Sequence, residues 1–234
     1  MTFLSAAQKA SLRLISKRPQ TFFGSTNTFE QEICDLGNQV CLDLVKRRDW
    51  RKLTILQELV GDGVTRGFDL PSDWDHMPKG MMIHQKDFWA WNYIQVTDLN
   101  TWLTLVNSAV QVTPGTWIVL DNQTQFIPPV SAGNVAQYYY ISRNIVLDAD
   151  GTTVKPEFTQ DSDSLRYDEN LLTLGLIWMW KAQKGMAYQQ DFDNYEQRVD
   201  EVSGLEKGSQ VQVVTDGRWR GNYPFKGGFG WSSW

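Results

Sequence analysis

Cysteine and histidine are scarce in this chain of 234 residues, with two of each. Cys34 and Cys41 fall seven positions apart on a predicted helix, two turns along one face. That spacing puts their Cα atoms about 10 Å apart, beyond the reach of a disulfide. A disulfide framework is excluded, and a reducing, intracellular folding compartment is expected. His76 and His84 are eight apart with only Asp73, Asp75 and Asp87 nearby, short of the convergent ligands that a zinc site needs. No metal is expected, and surface or half-buried histidines are the simpler reading. The chain also lacks a Gly-x-Ser-x-Gly elbow, a histidine near either cysteine, and a Gly-x-x-x-x-Gly-Lys phosphate loop. The GGFG near the end has neither the strand before it nor the helix after it that a phosphate site requires. No catalytic or cofactor-binding residue is assigned, no cofactor is expected, and an enzyme is disfavoured.

Positive charge is in deficit too. The net charge of -5 and pI near 5.1 argue against a dedicated nucleic-acid binder, whose footprint is basic. No run approaches the ~20 apolar residues of a membrane span. The opening MTFLSAAQKASLRLISKR has no continuous apolar core of a signal peptide. No repeat recurs at a fixed period, so a solenoid is not expected.

What is abundant is tryptophan, with eleven residues. Aromatic side chains concentrate in cores and at protein–protein contacts, so covered surfaces are expected. Ser5 and Gln8 have the form of a capping box, and Leu4, Ala7, Ser11 or Leu12, and Ile15 keep helical spacing, predicting a first helix over 4–17. Asn27 and Glu30 open a second, whose stripe is Phe29, Ile33, Leu36, Val40 and Leu44 and whose end, near 48, carries Lys46, Arg47 and Arg48. From Trp50 the period turns extended. LTILQELV and TRGFDL, separated by GDG, read as a hairpin, and MMIH as a short strand. Thr97 or Asp98 caps a third amphipathic segment of Leu99, Trp102, Leu103, Val106 and Val110. TWIVL and TQFIP flank DNQ as a second hairpin ended by Pro128-Pro129, and YYYISRN, the DADG turn and TTVKPEF complete a β-rich middle.

The stretch from Tyr138 to Val202 is the most informative. Its helix over Leu171–Trp180 is apolar nearly all round and should be buried on several sides. Lys181, Lys184 and Gly185 close it. Tyr188, Phe192, Tyr195, Val199 and Val202 then form one stripe of a second helix, ended by Ser203-Gly204. Leu172, Leu176, Trp178, Trp180, Tyr188, Phe192, Tyr195 and Val199 are the expected core of this pair. Asp161, Asp163, Asp168 and Glu169 read as capping charges at the N-terminus of the Trp178 helix rather than as calcium ligands. Asp148, Asp150 and Gly151 read as a tight turn. The dense basic run Lys46, Arg47, Arg48, Arg51 and Lys52 suits acidic neighbours on another subunit better than nucleic-acid phosphates, given the overall charge. Beyond residue 204, a mildly basic tail contains QVQVV and then a glycine-aromatic segment that cannot form a core alone.

In this order, LVKRRDWRKL, FDLPSDWDHM, YYYISRN, the Asp-Gly turn, FTQDSDSL (158–165) and DENLLTLGLIWMWKAQKGMAYQQDFDNYE resemble the head-to-tail adaptor (connector or neck) proteins of tailed bacteriophages over residues 5–202. The resemblance implies a structural virion protein made in the host cytoplasm and placed at the neck. It would form a homo-oligomeric ring of about twelve copies beneath the portal. Tail, tail-terminator or stopper proteins would attach below, and DNA would pass the central channel without specific recognition. The expected fold is α+β, a helical bundle built from the N-terminal (1–50) and C-terminal (161–204) helix pairs. A β-rich insertion with one amphipathic helix (51–160) interrupts it, and an extended arm (205–234) follows. Arg218, Trp219, Arg220, Tyr223, Phe225, Phe229, Trp231 and Trp234 of the arm are expected to bind the portal or a neighbouring subunit. Lys46, Arg47, Arg48 and Arg51 are the candidate inter-subunit charges. The competing readings are a tail-tube or tail-completion ring and, from another class, a carbohydrate-binding β-module.

Overall fold

The computed structural model describes residues 2–86, 92–108 and 115–207, and it is mixed α and β. Two helices open it, α1 (Phe3–Ile15) and α2 (Thr28–Arg47), and two close it, α4 (Glu169–Gln183) and α5 (Gln189–Lys207); α3 (Leu99–Asn107) lies in the middle. The cap of α1 is Thr2 rather than Ser5, its hydroxyl accepting the Ser5 N–H. Gln8 reaches instead to the Pro19 carbonyl at 2.8 Å, because the chain folds back there and offers a buried acceptor. Asn27 caps α2 by accepting the Phe29 N–H. The end of α2 is closed by Trp50, whose indole N–H donates to the Leu44 carbonyl, one of the acceptors that a helix end leaves unsatisfied. The same indole packs on Tyr167 at 4.6 Å.

α4 is the axis of the helical part. It packs against α1, α2 and α5, as a helix apolar nearly all round must to keep its side chains from water. Leu171, Leu172, Leu176 and Ile177 share one buried cluster with Phe3, Ala6 and Ala10 of α1, Ile33, Val40 and Leu44 of α2, and Tyr195 and Val199 of α5. Small residues set the spacing. A Cβ on Gly175 would stand 2.8 Å from both methyls of Val40, and one on Gly37 would stand 2.6 Å from the Phe3 ring. Gly185, with φ +68°, turns the chain between α4 and α5. α5 runs through Ser203 and Gly204 to Lys207, past the expected stop. Ser203 is buried, so packing outweighs the modest penalty of a helical glycine.

The middle of the chain builds one large sheet. Its strands are β1 (Thr54–Val60), β2 (Gly67–Asp69), β3 (Trp74–His76), β4 (Ile83–Gln85), β5 (Asn92–Gln95), β6 (Thr116–Leu120), β7 (Gln123–Ile127) and β8 (Val135–Ser142), in the order β1-β8-β4-β5-β6-β7-β2 with β3 also on β8. The hairpin β6–β7 forms as expected, with Asp121 and Asn122 both at positive φ in a two-residue turn. The hairpin expected across GDG does not. β1 pairs with the distant β8, and β2 with β7. β5 and β6 run parallel, joined by α3 as a crossover. A second buried cluster, with Ile83, Tyr93, Trp117, Phe126, Tyr138 and Tyr140, fills one face of this sheet. β8 links the two cores, since its Ile141 belongs to the helical cluster. Short strands β9 (Val146–Leu147), β10 (Val154–Lys155) and β11 (Ser164–Leu165) make a small second sheet before α4, so the strand entering the DADG turn is β9 and not YYYISRN.

Gly175→Ala should destabilise the protein by about 1–3 kcal/mol through overpacking, despite alanine's better helix propensity. Combined with Val40→Ala, the loss should be smaller than the sum of the two single losses. Urea unfolding midpoints at unchanged m-value check both outcomes.

Candidate interaction surfaces

The basic tract after α2 divides into two kinds of residue. Arg47 is enclosed: its guanidinium pairs with Asp43 and Glu196 and lies over the rings of Phe192 and Tyr195 at 5.7 and 5.3 Å. Asp43 in turn accepts the Tyr195 hydroxyl at 3.1 Å, tying α2 to α5. Arg48 pairs with Asp200 of α5 at 2.6 Å. These two arginines answer carboxylates of their own chain, so the expectation that they face another subunit is corrected. Asp43, Glu196 and Asp200 reach them because α2 and α5 lie side by side, which sequence separation hides. Arg51 gives its backbone N–H to Glu206 at 3.0 Å while its side chain stays exposed, Lys52 lies 5.2 Å from the Tyr167 ring, and Lys46 is exposed.

The expected core residues of the last two helices also separate. Leu172, Leu176, Tyr195 and Val199 are buried, and Trp178 and Trp180 pack against the cluster. Trp178 stacks edge-on over half-buried Phe192 at 5.0 Å. Trp180 donates its indole N–H to Glu32 at 3.2 Å. Tyr188 precedes α5 and is exposed, so it is corrected from core to surface. The arm residues Arg218, Trp219, Arg220, Tyr223, Phe225, Phe229, Trp231 and Trp234 lie outside the described residues.

Of the acidic cluster, only Asp168 caps α4, accepting the Asn170 N–H. Asp161 instead holds the loop after α1, accepting the backbone N–H groups of Phe22 and Phe23 and the Thr21 hydroxyl. Asp163 is fully buried, 2.8 Å from Lys155 Nζ, and accepts the Thr159 and Gln160 N–H groups. Glu169 is buried and 3.1 Å from Lys9. Local loop architecture captured these carboxylates, which the helix-start signal alone could not foresee. Burial works against charge on Asp163 and Asp168, but Lys155 and two amides at the first, and Arg198 and an amide at the second, hold both carboxyls below their ordinary range. Asp150 accepts from Thr152 and Thr153 across the Gly151 turn, as the tight-turn reading requires.

Groups capable of chemistry are occupied structurally. His76 sits between Asp75 (2.6 Å) and Asp49 (3.1 Å), joining β3 to the end of α2. Burial, helped by Asp161, Asp35 and Glu30, pushes the Cys34 thiol up to about 12, and burial raises Cys41 as well. Neither is a ready thiolate. No group of three metal-ligating side chains converges among the described residues. A cleft lined by Thr2, Ser164, Tyr167 and Glu169 encloses about 250 Å³, below the usual range for small-molecule sites.

Apolar side chains on the outside are the stronger signal. In α3 only Trp102 and Leu105 turn to the sheet, where they meet Val96, Ile118 and Ile127. Leu99, Leu103 and Val106, spaced four and three, face outward, the first two 58% and 59% exposed. The five-residue stripe predicted for this helix is thus split by the crossover, whose sheet face has room for the tryptophan side alone; Val110 lies outside the described residues. On the sheet, Leu56 of β1 and its partner Tyr139 of β8 are also exposed.

A family model described as SU10 adaptor protein matches residues 1–220. The chain belongs to the SU10 adaptor protein family. It is therefore a bacteriophage adaptor-type protein, a structural component of a virion whose family assembles with portal and tail components. The family match runs beyond the span 5–202 on which the sequence resemblance rested. No curated protein matches the chain. No helix among the described residues is long and apolar enough to cross a membrane.

Arg47→Ala should lower the stability of this adaptor by about 1–3 kcal/mol, because it leaves two half-buried carboxylates unanswered. Lys46→Ala should change stability by less than about 0.5 kcal/mol. Chemical denaturation of the isolated chain separates the two. The folded-state values of Asp163 and Asp168 lie below the unfolded reference near 4, so their contribution is present above that pH and is lost as pH falls through the folded values. The urea midpoint should hold level from pH 7 to 5 and drop below about 4, and Asp163→Asn should be weaker at neutral pH with a shallower acid slope.

Proposed function

We propose that this protein is a non-enzymatic head-to-tail adaptor that forms a ring beneath the portal, offers the tail its attachment surface, and leaves a channel for DNA. The observation that carries this reading is the SU10 adaptor match over residues 1–220. In it, residues 1–50 and 161–204 form the helical bundle of the ring body, 51–160 the inserted β-rich part, and 205–234 the arm. A ring subunit makes heterologous contacts on two different sides. The exposed stripe of α3 and the exposed basic side chains Lys46 and Arg51 are the surfaces available for such contacts. Arg47 and Arg48 act within the subunit, fixing the helices that carry those surfaces.

The net negative charge suits a channel wall, because DNA affinity comes largely from cationic side chains that neutralise phosphates. The arm residues Trp219, Tyr223, Phe225, Phe229, Trp231 and Trp234, with Arg218 and Arg220, supply anchors for the portal, since aromatic and arginine side chains dominate interface energies. Glycines between the anchors let the backbone follow a groove.

Solution mass measured with and without a purified portal ring tests the reading. Assembly of about twelve copies on the portal ring is expected, with no comparable ring formed alone. Removal of residues 217–234 should leave the fold intact by circular dichroism and abolish portal capture in a pull-down. Unchanged capture would exclude the arm as the anchor, and no assembly with intact protein would exclude the adaptor reading.

A further inference from the structure

The first strand of the large sheet has an open edge. β1 pairs with β8 from Thr54↔Ile141 to Val60↔Val135, and no other strand among the described residues lies beside it. Gly61, which follows it, turns both backbone groups toward the β8 side, donating to the Asn134 carbonyl at 2.8 Å and accepting the Gly133 N–H at 3.1 Å. Backbone groups alternate sides along a strand. Leu56, Glu58 and Val60 therefore direct theirs to the open edge. Edges of this length are ordinarily blunted by charge, proline or a bulge. Here Ile55, Leu56 and Val60 are exposed, Val60 by 65%, and the one charged residue, Glu58, is paired with Lys86 at 3.0 Å. Such an edge is suited to an added strand.

The path of the chain supplies the occupant. The last turn of α5 is fastened at the entrance to β1, where Glu206 accepts the Arg51 N–H at 3.0 Å and the short 3-10 turn Arg51–Leu53 leads directly into Thr54. From Lys207, three residues reach Gln210, a span of at most ~10 Å, and paired strands stand ~4.8 Å apart. The residues that follow are Gln210-Val211-Gln212-Val213-Val214, a period-two sequence rich in β-branched side chains. We infer that Gln210–Val214 adds to the open edge of β1 within the same chain, as a parallel strand of the large sheet. The direction is parallel because both segments start at the α5 end. Valines on one face cover the apolar edge that β1 leaves bare, and the glutamines face the other way. The arm from Gly217 onward then departs from the Gly61 end of β1 and not from the end of α5. This inference is independent of what the arm binds.

Hydrogen exchange on the full-length chain tests it. Amides of Gln210–Val214 should exchange at least about 100-fold more slowly than in an unstructured reference. Leu56→Pro removes an N–H that faces the open edge, a position where a strand tolerates proline. It should abolish protection at 210–214 and preserve it at 135–142. Independently, Glu58→Cys combined in turn with Val211→Cys, Gln212→Cys or Val213→Cys should give a cross-link within one chain on oxidation. Cys34 and Cys41 are buried and do not compete. Coil-like exchange at 210–214 in the unmodified protein, protection that survives Leu56→Pro in a folded sheet, or cross-links that only join two chains would each overturn the inference. Should Leu56→Pro unfold the sheet, the unmodified exchange pattern and the cross-links still decide.

Discussion

The close approach of α4 to α2, with Gly175 seated against Val40, governs the rest of the molecule. A helix with Leu171, Leu172, Leu176, Ile177 and Met179 all buried has no face to give to water. It holds its place only if three other helices surround it. Each such side chain contributes on the order of 1.5–3 kcal/mol when removed from water, and that gain depends on α1, α2 and α5 converging from both ends of the chain. The ion pairs of Arg47, Arg48 and Arg198 with α2 and α5 carboxylates and with Asp168 then fix rotation and register around a core that is itself apolar. The sheet is attached to this arrangement through β8, whose Ile141 enters the helical core while Tyr138 and Tyr140 enter the other.

Helices were legible in the sequence wherever one local signal sufficed. Asn27 before the Phe29–Leu44 stripe, Asp98 before α3, Asp168 before the Trp178 run and Gly185 after it all fall where the caps and turns are. The hairpin at Asp121-Asn122 was equally plain, because a two-residue turn with both residues at positive φ is written into adjacent positions. What could not be read was pairing across distance. β1 finds its partner in β8, and nothing in LTILQELV distinguishes that partner from the nearer TRGFDL. The period of α3 announced an apolar stripe but not which part of it the sheet would claim. The carboxylates before α4 looked alike as a cluster and took four different tasks, because loops from residues 21–23 and the Thr159–Gln160 turn reached three-dimensional neighbours that spacing does not encode.

The same limit applied to surfaces. A basic tract reads as available charge in one dimension, yet two of its arginines are consumed by α5 and only its less conspicuous members remain outward. An amphipathic helix reads as core, yet α3 keeps Leu99 and Leu103 in contact with solvent. Charge is thus spent mostly inside the subunit and apolar surface is left outside. For a protein that joins other proteins, this division gives recognition through shape and desolvation, with little dependence on ionic strength.

The position of α4 in the chain also sets a timetable. α1 and α2 leave the ribosome with their stripes made, but the helix they close upon begins only at Glu169, and at 5–20 residues per second that delay is on the order of ten seconds. During it the strands from Thr54 to Ser142 can pair among themselves, while Phe3, Ile33, Val40 and Leu44 wait uncovered. Nascent chains of this adaptor thus pass through a stage with a finished sheet and an unfinished helical half, and host chaperones meet it at that stage.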